Sequence, residues 1–201
     1  MTPQTITLAM TGASGGEYTL RLFECLLRQG IQVQFITSQP GQIVLGMETS
    51  LKLSGPPQKM RQTFADYFDA DPELIQVYSK DQWTAPPASG SSVADAMVVC
   101  PCSMGSLASI AVGSSENLIH RAADVVIKEG RTLILVARET PISAIHLENM
   151  LKLARLGVVI LPPNPGFYHG VSEVSELVDF IVARILDQLG VENELSPRWG
   201  H

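Results

Sequence analysis

Long apolar runs are missing from this 201-residue sequence; no stretch reaches the roughly eighteen consecutive apolar residues of a membrane-crossing helix. The N-terminal MTPQTITLAM lacks the basic start and apolar core of a secretory signal, so a cytoplasmic protein is expected. Basic residues are scarce, 14 Lys and Arg against 20 Asp and Glu, for a net charge of −6. Nucleic-acid surfaces cluster Lys and Arg, and this balance argues against such a partner. Cysteine is limited to Cys25, Cys100 and Cys102. The count is odd, and C-P-C has neither the spacing nor the second pair of a zinc site, which favours buried reduced thiols over metal binding or catalysis. Apolar residues, by contrast, make up 45% of the chain, enough for one large core.

These apolar residues fall into strand-like runs that alternate with segments of helical period. Strands are expected at Thr5–Met10, Gln32–Thr37, Ala96–Cys100, Thr132–Ala137 and Val158–Leu161, with a weaker one at Ile75–Ser79. Helices are expected near 16–29, 40–48, 104–112, 118–129, 144–156 and 173–189. The alternation predicts an α/β fold: a single domain over residues 1–201 with a doubly wound, Rossmann- or flavodoxin-like parallel sheet and helices on both faces. From about 51 to 91, LSGPPQ, FADYFDADPE and TAPPASGSS read as loop-rich. The acidic residues there (Asp66, Asp69, Asp71, Glu73) lack the glycine and closing glutamate of a calcium loop and read as solvated surface. The tail ENELSPRWGH is polar except for Trp199, and such a tail frays unless something holds it.

In open α/β sheets ligands bind beyond the carboxyl ends of the strands. The segments that follow the expected strands are Thr11–Gly16, Ser38–Pro40, Pro101–Ser106, Arg138–Pro141 and Pro162–His169. Together they gather small hydroxyl residues, an Arg-Glu pair and a tyrosine, the makeup of a pocket for a phosphorylated cofactor. TGASGG is not a dinucleotide fingerprint, because Ser14 and Glu17 stand where glycines are needed, and no G-K-[ST] follows. Residues 12–16 do fit the G-x-S-x-G nucleophile elbow, but no strand precedes β-run 5–10 to lend an oxyanion loop. Ser14-x-x-Glu17 also reads as a capping box, with N–H donors left for a phosphate or flavin edge at the helix start. SMGS at 103–106 repeats this pattern. Arg121, Asp124 and Lys128 share one helix face and read as a solvated, salt-bridged stripe. Glu48 ends a helix where the dipole is negative, which costs energy unless a cationic partner or a site role offsets it.

TGASGGEYTLRLFE, PASGSSVADAMVVCPCSMGSLASIAVG, the long NLIHRAADVVIKEGRTLILVARETPISAIHLENMLKLARLGVVILPPNPGFYH and the closing PRWG resemble the flavin prenyltransferases, the UbiX family, over nearly the whole chain. The resemblance implies an enzyme that joins the dimethylallyl group of dimethylallyl monophosphate to N5 and C6 of reduced FMN. The prenylated FMN then serves a UbiD-type decarboxylase. It further implies that Gly12, Ala13, Ser14, Ser38, the turn of Ser103, Met104, Gly105 and Ser106, and Arg138 bind FMN. Tyr168 and Arg184 would hold the prenyl phosphate, helped by Lys128 and the Ser89–Ser91 loop (Ser89 and Ser91), with Arg121 and Glu139 beside it. Glu48 matches an acidic position at the reacting flavin edge. Catalytic roles fall to Glu48, Glu139, Ser14, Tyr168 and Lys128. Trp199 matches a tail aromatic that covers the pocket, the tail 190–201 packing there or on a neighbouring subunit of a homododecamer. No D-D-x-x-D motif for magnesium occurs, and a monophosphate leaving group suits Arg, Lys and Tyr donors without a metal. Two other readings are an FMN-dependent cysteine decarboxylase of related fold and a non-catalytic flavin carrier.

Overall fold

The computed structural model describes residues 2–168, 170–198 and 200. Six strands form one parallel sheet: β1 (Thr5–Met10), β2 (Gln32–Thr37), β3 (Ile75–Tyr78), β4 (Ala96–Cys102), β5 (Thr132–Ala137) and β6 (Val159–Ile160). Their spatial order is β3-β2-β1-β4-β5-β6, the doubly wound order of Rossmann folds. The helices are α1 (Gly16–Arg28), α2 (Gln39–Glu48), α3 (Pro57–Phe68), α4 (Met104–Val112), α5 (Leu118–Lys128), α6 (Ala144–Arg155) and α7 (Val174–Leu189). None of the described helices is long and apolar enough to cross a membrane.

Strand pleating deals the apolar side chains to two cores. Leu8, Phe35, Val98 and Val136 pack with α1, α3 and α7, whereas Ala9, Ile36, Val99 and Leu135 pack with α4, α5 and α6. Thr7 and Gln34 are polar but buried, and they satisfy each other through a bond from Thr7 Oγ1 to Gln34 Oε1 of 3.0 Å. The three cysteines are free and buried; burial pushes the thiols of Cys100 and Cys102 upward, that of Cys102 to about 12, which leaves both protonated and unreactive.

The stretch from 51 to 91 is less irregular than expected, since it contains α3 and a four-residue β3. Of the two prolines in LSGPPQ, Pro56 is the N-cap of α3 and Pro57 its first residue, where a missing N–H costs nothing. Phe64 anchors the helix: its ring stacks on Phe23 at 4.7 Å and meets Phe35 edge-on at 4.9 Å. The acidic residues are surface groups with local partners. Asp69 ends α3 in the left-handed region, Asp71 caps a short turn, and Glu73 pairs with Arg61 at 2.6 Å. β4 runs two residues beyond its expected end because Cys102 still pairs with Ala137 of β5.

Candidate active site

Between β1 and β4 the chain changes direction across the sheet, and the carboxyl ends of these strands open the crevice where such folds place ligands. Thr11 sews this edge together. Its Oγ1 donates to Pro101 O at 2.9 Å and accepts from Ser103 N at 2.8 Å, a role that a single threonine does not announce in sequence. Ser38 caps α2 by accepting from Gly41 N at 3.1 Å, and Ser103 caps α4 by accepting from Ser106 N at 3.3 Å. Gly12 is exposed at the rim, and a Cβ there would lie 2.5 Å from Pro40 Cβ, so only glycine lets the two loops approach. Gly12, Ala13, Ser14, Ser38 and the Ser103–Ser106 turn thus come from three loops to one edge.

The capping box expected at Ser14-x-x-Glu17 does not form. The N-cap of α1 is Gly15, at φ 132 and without a side-chain cap. Glu48, from the far end of α2, takes that place: its Oε2 accepts from Gly15 N and Gly16 N, both at 2.8 Å, and Ser14 bonds the same carboxylate. The Gly15 and Gly16 N–H groups are therefore committed to Glu48 and are not left for a cofactor. The same contact resolves the awkward position of Glu48, because its carboxylate reaches the positive end of the α1 dipole. A Cβ on Gly16 would sit 3.2 Å from Leu45 Cδ1 and 3.3 Å from Thr49 Cγ2, so the bare glycine lets the end of α2 lie close against the start of α1. Ser14, bound to a carboxylate instead of a histidine, is not arranged as a hydrolase nucleophile.

Partial burial alone would raise the Glu48 pKa, but the Ser14, Gly15 and Gly16 hydrogen bonds and the nearby Arg138 charge hold it below the ordinary 4.5. A depressed folded value contributes stability that is complete above the unfolded pKa and is lost as pH falls through the folded one. Wild type and Glu48→Gln are therefore expected to differ in unfolding free energy near neutral pH and to converge as pH drops below about 4.5. Chemical denaturation of both proteins across that range checks this; a constant difference down to strongly acidic pH contradicts it.

Arg138 follows β5. Its Nε is shielded from solvent and has no hydrogen-bond partner among the described residues. A buried cationic donor without an acceptor is unfavourable, and an anionic or carbonyl-bearing ligand at this edge satisfies it. FMN, with a phosphate and ring carbonyls, fits that donor set. Arg138 and Glu139 line a cavity of about 380 Å³ with Pro141, Pro162 and Asn164, and Glu139 Oε1 accepts from Thr140 N at 3.1 Å.

The residues implied for the prenyl phosphate divide into two groups. Lys128 pairs with Glu129 and lies against Gly90; Ser89 Oγ and Ser91 Oγ are 3.0 Å apart; Arg121 bonds Ala88 O at 3.1 Å and Asp124 at 2.9 Å. These form a patch where α5 meets the 86–92 turns. Tyr168 and Arg184 instead line a separate cavity of about 360 Å³ with Phe180 and the tail residues Asn193, Ser196 and Arg198. The 161–168 loop contributes to both cavities, Tyr168 to this one and Pro162, Pro163 and Asn164 to the Arg138 cavity. The tail does not simply trail off: Val191 is buried, and Asn193 and Arg198 bond Asp187 of α7. Trp199 lies outside the described residues. A larger groove of about 700 Å³ runs along edge strand β3 and past its carboxyl end to Gln82; Arg61, the one cation among its described lining residues, is engaged by Pro72 O and Glu73.

The Flavoprotein family model matches residues 1–186. The chain is 54% identical over 198 residues to a flavin prenyltransferase UbiX of Pseudomonas aeruginosa, covering 98% of this chain and 95% of the relative. Among solved structures it resembles a UbiX protein (PadA1) in complex with FMN and dimethylallyl pyrophosphate. That likeness has a TM-score of 0.88 at 38% identity and covers 99% and 98% of the two chains. A dodecameric FMN-dependent UbiX-like decarboxylase from Escherichia coli O157:H7 superposes with a TM-score of 0.87 at 37% identity, over 98% of this chain and all of that one. The chain belongs to the Flavoprotein family and, within it, to the UbiX-type flavin prenyltransferases.

Proposed function

We propose that the chain transfers the dimethylallyl group of dimethylallyl monophosphate to reduced FMN, and that the prenylated flavin serves a UbiD-type decarboxylase. Reduced FMN would supply two nucleophilic atoms: N5 would take the allylic carbon and lose its proton as the carbon–oxygen bond to phosphate breaks, and C6 would then close the ring on the alkene, whose other carbon gains a proton as C6 loses one. Gly12, Ala13, Ser14, Ser38, Ser103, Met104, Gly105, Ser106 and Arg138 bind the flavin. Glu48, ionised and fixed by the start of α1, faces the reacting edge, where it stabilises positive charge on the allyl fragment or handles the proton at N5. Tyr168 and Arg184 bind the departing phosphate. Glu139 or the released phosphate takes the proton lost from C6.

The observation that carries prenyl transfer over a cysteine decarboxylase or a flavin carrier is the Tyr168–Arg184 cavity, a basic pocket that shares one loop with the Arg138 cavity. Neither alternative needs it. Lys128, Arg121, Ser89 and Ser91 belong to the same donor site, brought to it from a neighbouring subunit of a homododecamer like the Escherichia coli relative. Tail residues Asn193, Ser196, Pro197 and Arg198 complete the Tyr168–Arg184 cavity. Protein treated with a chelator is expected to release inorganic phosphate from dimethylallyl monophosphate only when reduced FMN is present. Release that requires added Mg²⁺ or Zn²⁺, or that proceeds without flavin, contradicts this reading.

A further inference from the structure

The tail reaches back onto α7 through one carboxylate. Asp187 Oδ2 takes Arg184 Nη1 at 2.7 Å, and its Oδ1 takes Arg198 Nη2 at 3.1 Å and Asn193 Nδ2 at 3.2 Å. The Asp187 side chain is only 19% exposed, whereas those of Arg184 and Arg198 are 54% and 58% exposed. A largely shielded anion thus sits between two guanidinium groups, and all three side chains line the cavity of Tyr168. Each guanidinium carries five N–H donors in a planar fork suited to phosphate oxygens, and the bonds to Asp187 use one nitrogen of each. Two arginines side by side repel; the carboxylate between them makes the pair tolerable and sets its spacing. It also leaves the cluster with two positive charges against one negative.

We propose that Arg198 is a second guanidinium ligand for the phosphate of the prenyl donor, and that Asp187 is the positioning residue that pairs it with Arg184 and favours a monophosphate over a diphosphate. This rests on the reading of Tyr168 and Arg184 as donor-phosphate residues. A phosphate monoester carries a charge of about −1.5 to −2 at neutral pH. A diphosphate ester adds further negative charge, which meets the Asp187 carboxylate in the same cavity lining. Removing the Asp187 charge therefore helps the diphosphate more than the monophosphate.

The test is titration of the FMN-loaded protein with dimethylallyl monophosphate and, separately, dimethylallyl diphosphate. Arg198→Ala is expected to weaken monophosphate binding about tenfold or more, as loss of a charged hydrogen bond does, with FMN affinity unchanged and part of the loss recovered in Arg198→Lys. Asp187→Asn is expected to move the monophosphate-to-diphosphate affinity ratio roughly fivefold toward the diphosphate, a modest Coulomb effect near the surface, and Asp187→Glu to restore it. Wild-type affinity in Arg198→Ala, or an unchanged ratio in Asp187→Asn, overturns the inference while leaving the donor site standing. If the wild type binds neither donor, or Arg184→Ala binds both as well as the wild type, the underlying assignment of the cavity falls as well.

Discussion

Glu48→Gln is expected to slow single-turnover prenyl transfer by roughly a hundredfold or more, the usual contribution of a general acid–base group, with FMN and dimethylallyl monophosphate still bound. Glutamine keeps the size of the side chain and an oxygen able to accept from Gly15 N and Gly16 N, so the local architecture survives. What disappears is the negative charge proposed to stabilise an allylic cation or to exchange a proton with the flavin. The substitution also removes an anion from the positive end of α1, a loss of about 0.3–1 kcal/mol in a partly exposed setting. A surface glutamate at its own helix terminus would give the opposite stability change. Rapid-mix product formation together with equilibrium binding of both substrates separates the cases. Full-speed turnover at full affinity removes Glu48 from the chemistry.

Arg184→Ala and Tyr168→Phe are expected to weaken donor binding while sparing FMN. A hydrogen bond to a charged group contributes about 1.5–3 kcal/mol, so each variant should lose roughly tenfold to a hundredfold in affinity for dimethylallyl monophosphate. Arg184 is half exposed and paired with Asp187, which places its effect nearer the lower figure. Flavin affinity is the internal control, because the residues proposed to bind FMN lie on the loops after β1, β2, β4 and β5 and neither substituted side chain does. Parallel loss of flavin in both variants would mean that the cavity is part of the flavin site.

The sheet was legible because buried parallel strands are nearly continuous apolar runs, and five of the six strands stand out for that reason. α3 was not, because Pro57 looks the same in a loop and in a first helical turn; the distinguishing fact is that Met60 and Phe64 meet Phe23. Within the site, the loops that carry Ser38, Ser103 and Arg138 follow from strand positions alone. The partner of Glu48 does not, since residues 33 and 32 positions away in the chain, Gly15 and Gly16, supply its donors, and local spacing suggested Glu17 instead. The same holds for Arg198. Its neighbour Trp199 attracts notice as the tail's one aromatic, while the carboxylate that makes Arg198 useful lies on α7 and is identified only by the fold. Lys128 and Arg184 sit in different patches of one chain, a separation that no sequence pattern discloses.

Mass spectrometry of the flavin, extracted after anaerobic incubation of the protein with reduced FMN and dimethylallyl monophosphate, tests the central claim most directly. The account predicts FMN carrying one added dimethylallyl unit, formed together with an equivalent of inorganic phosphate. Recovery of unmodified FMN after phosphate has been released, or of unmodified FMN alongside a decarboxylated cysteine peptide supplied in its place, would contradict it.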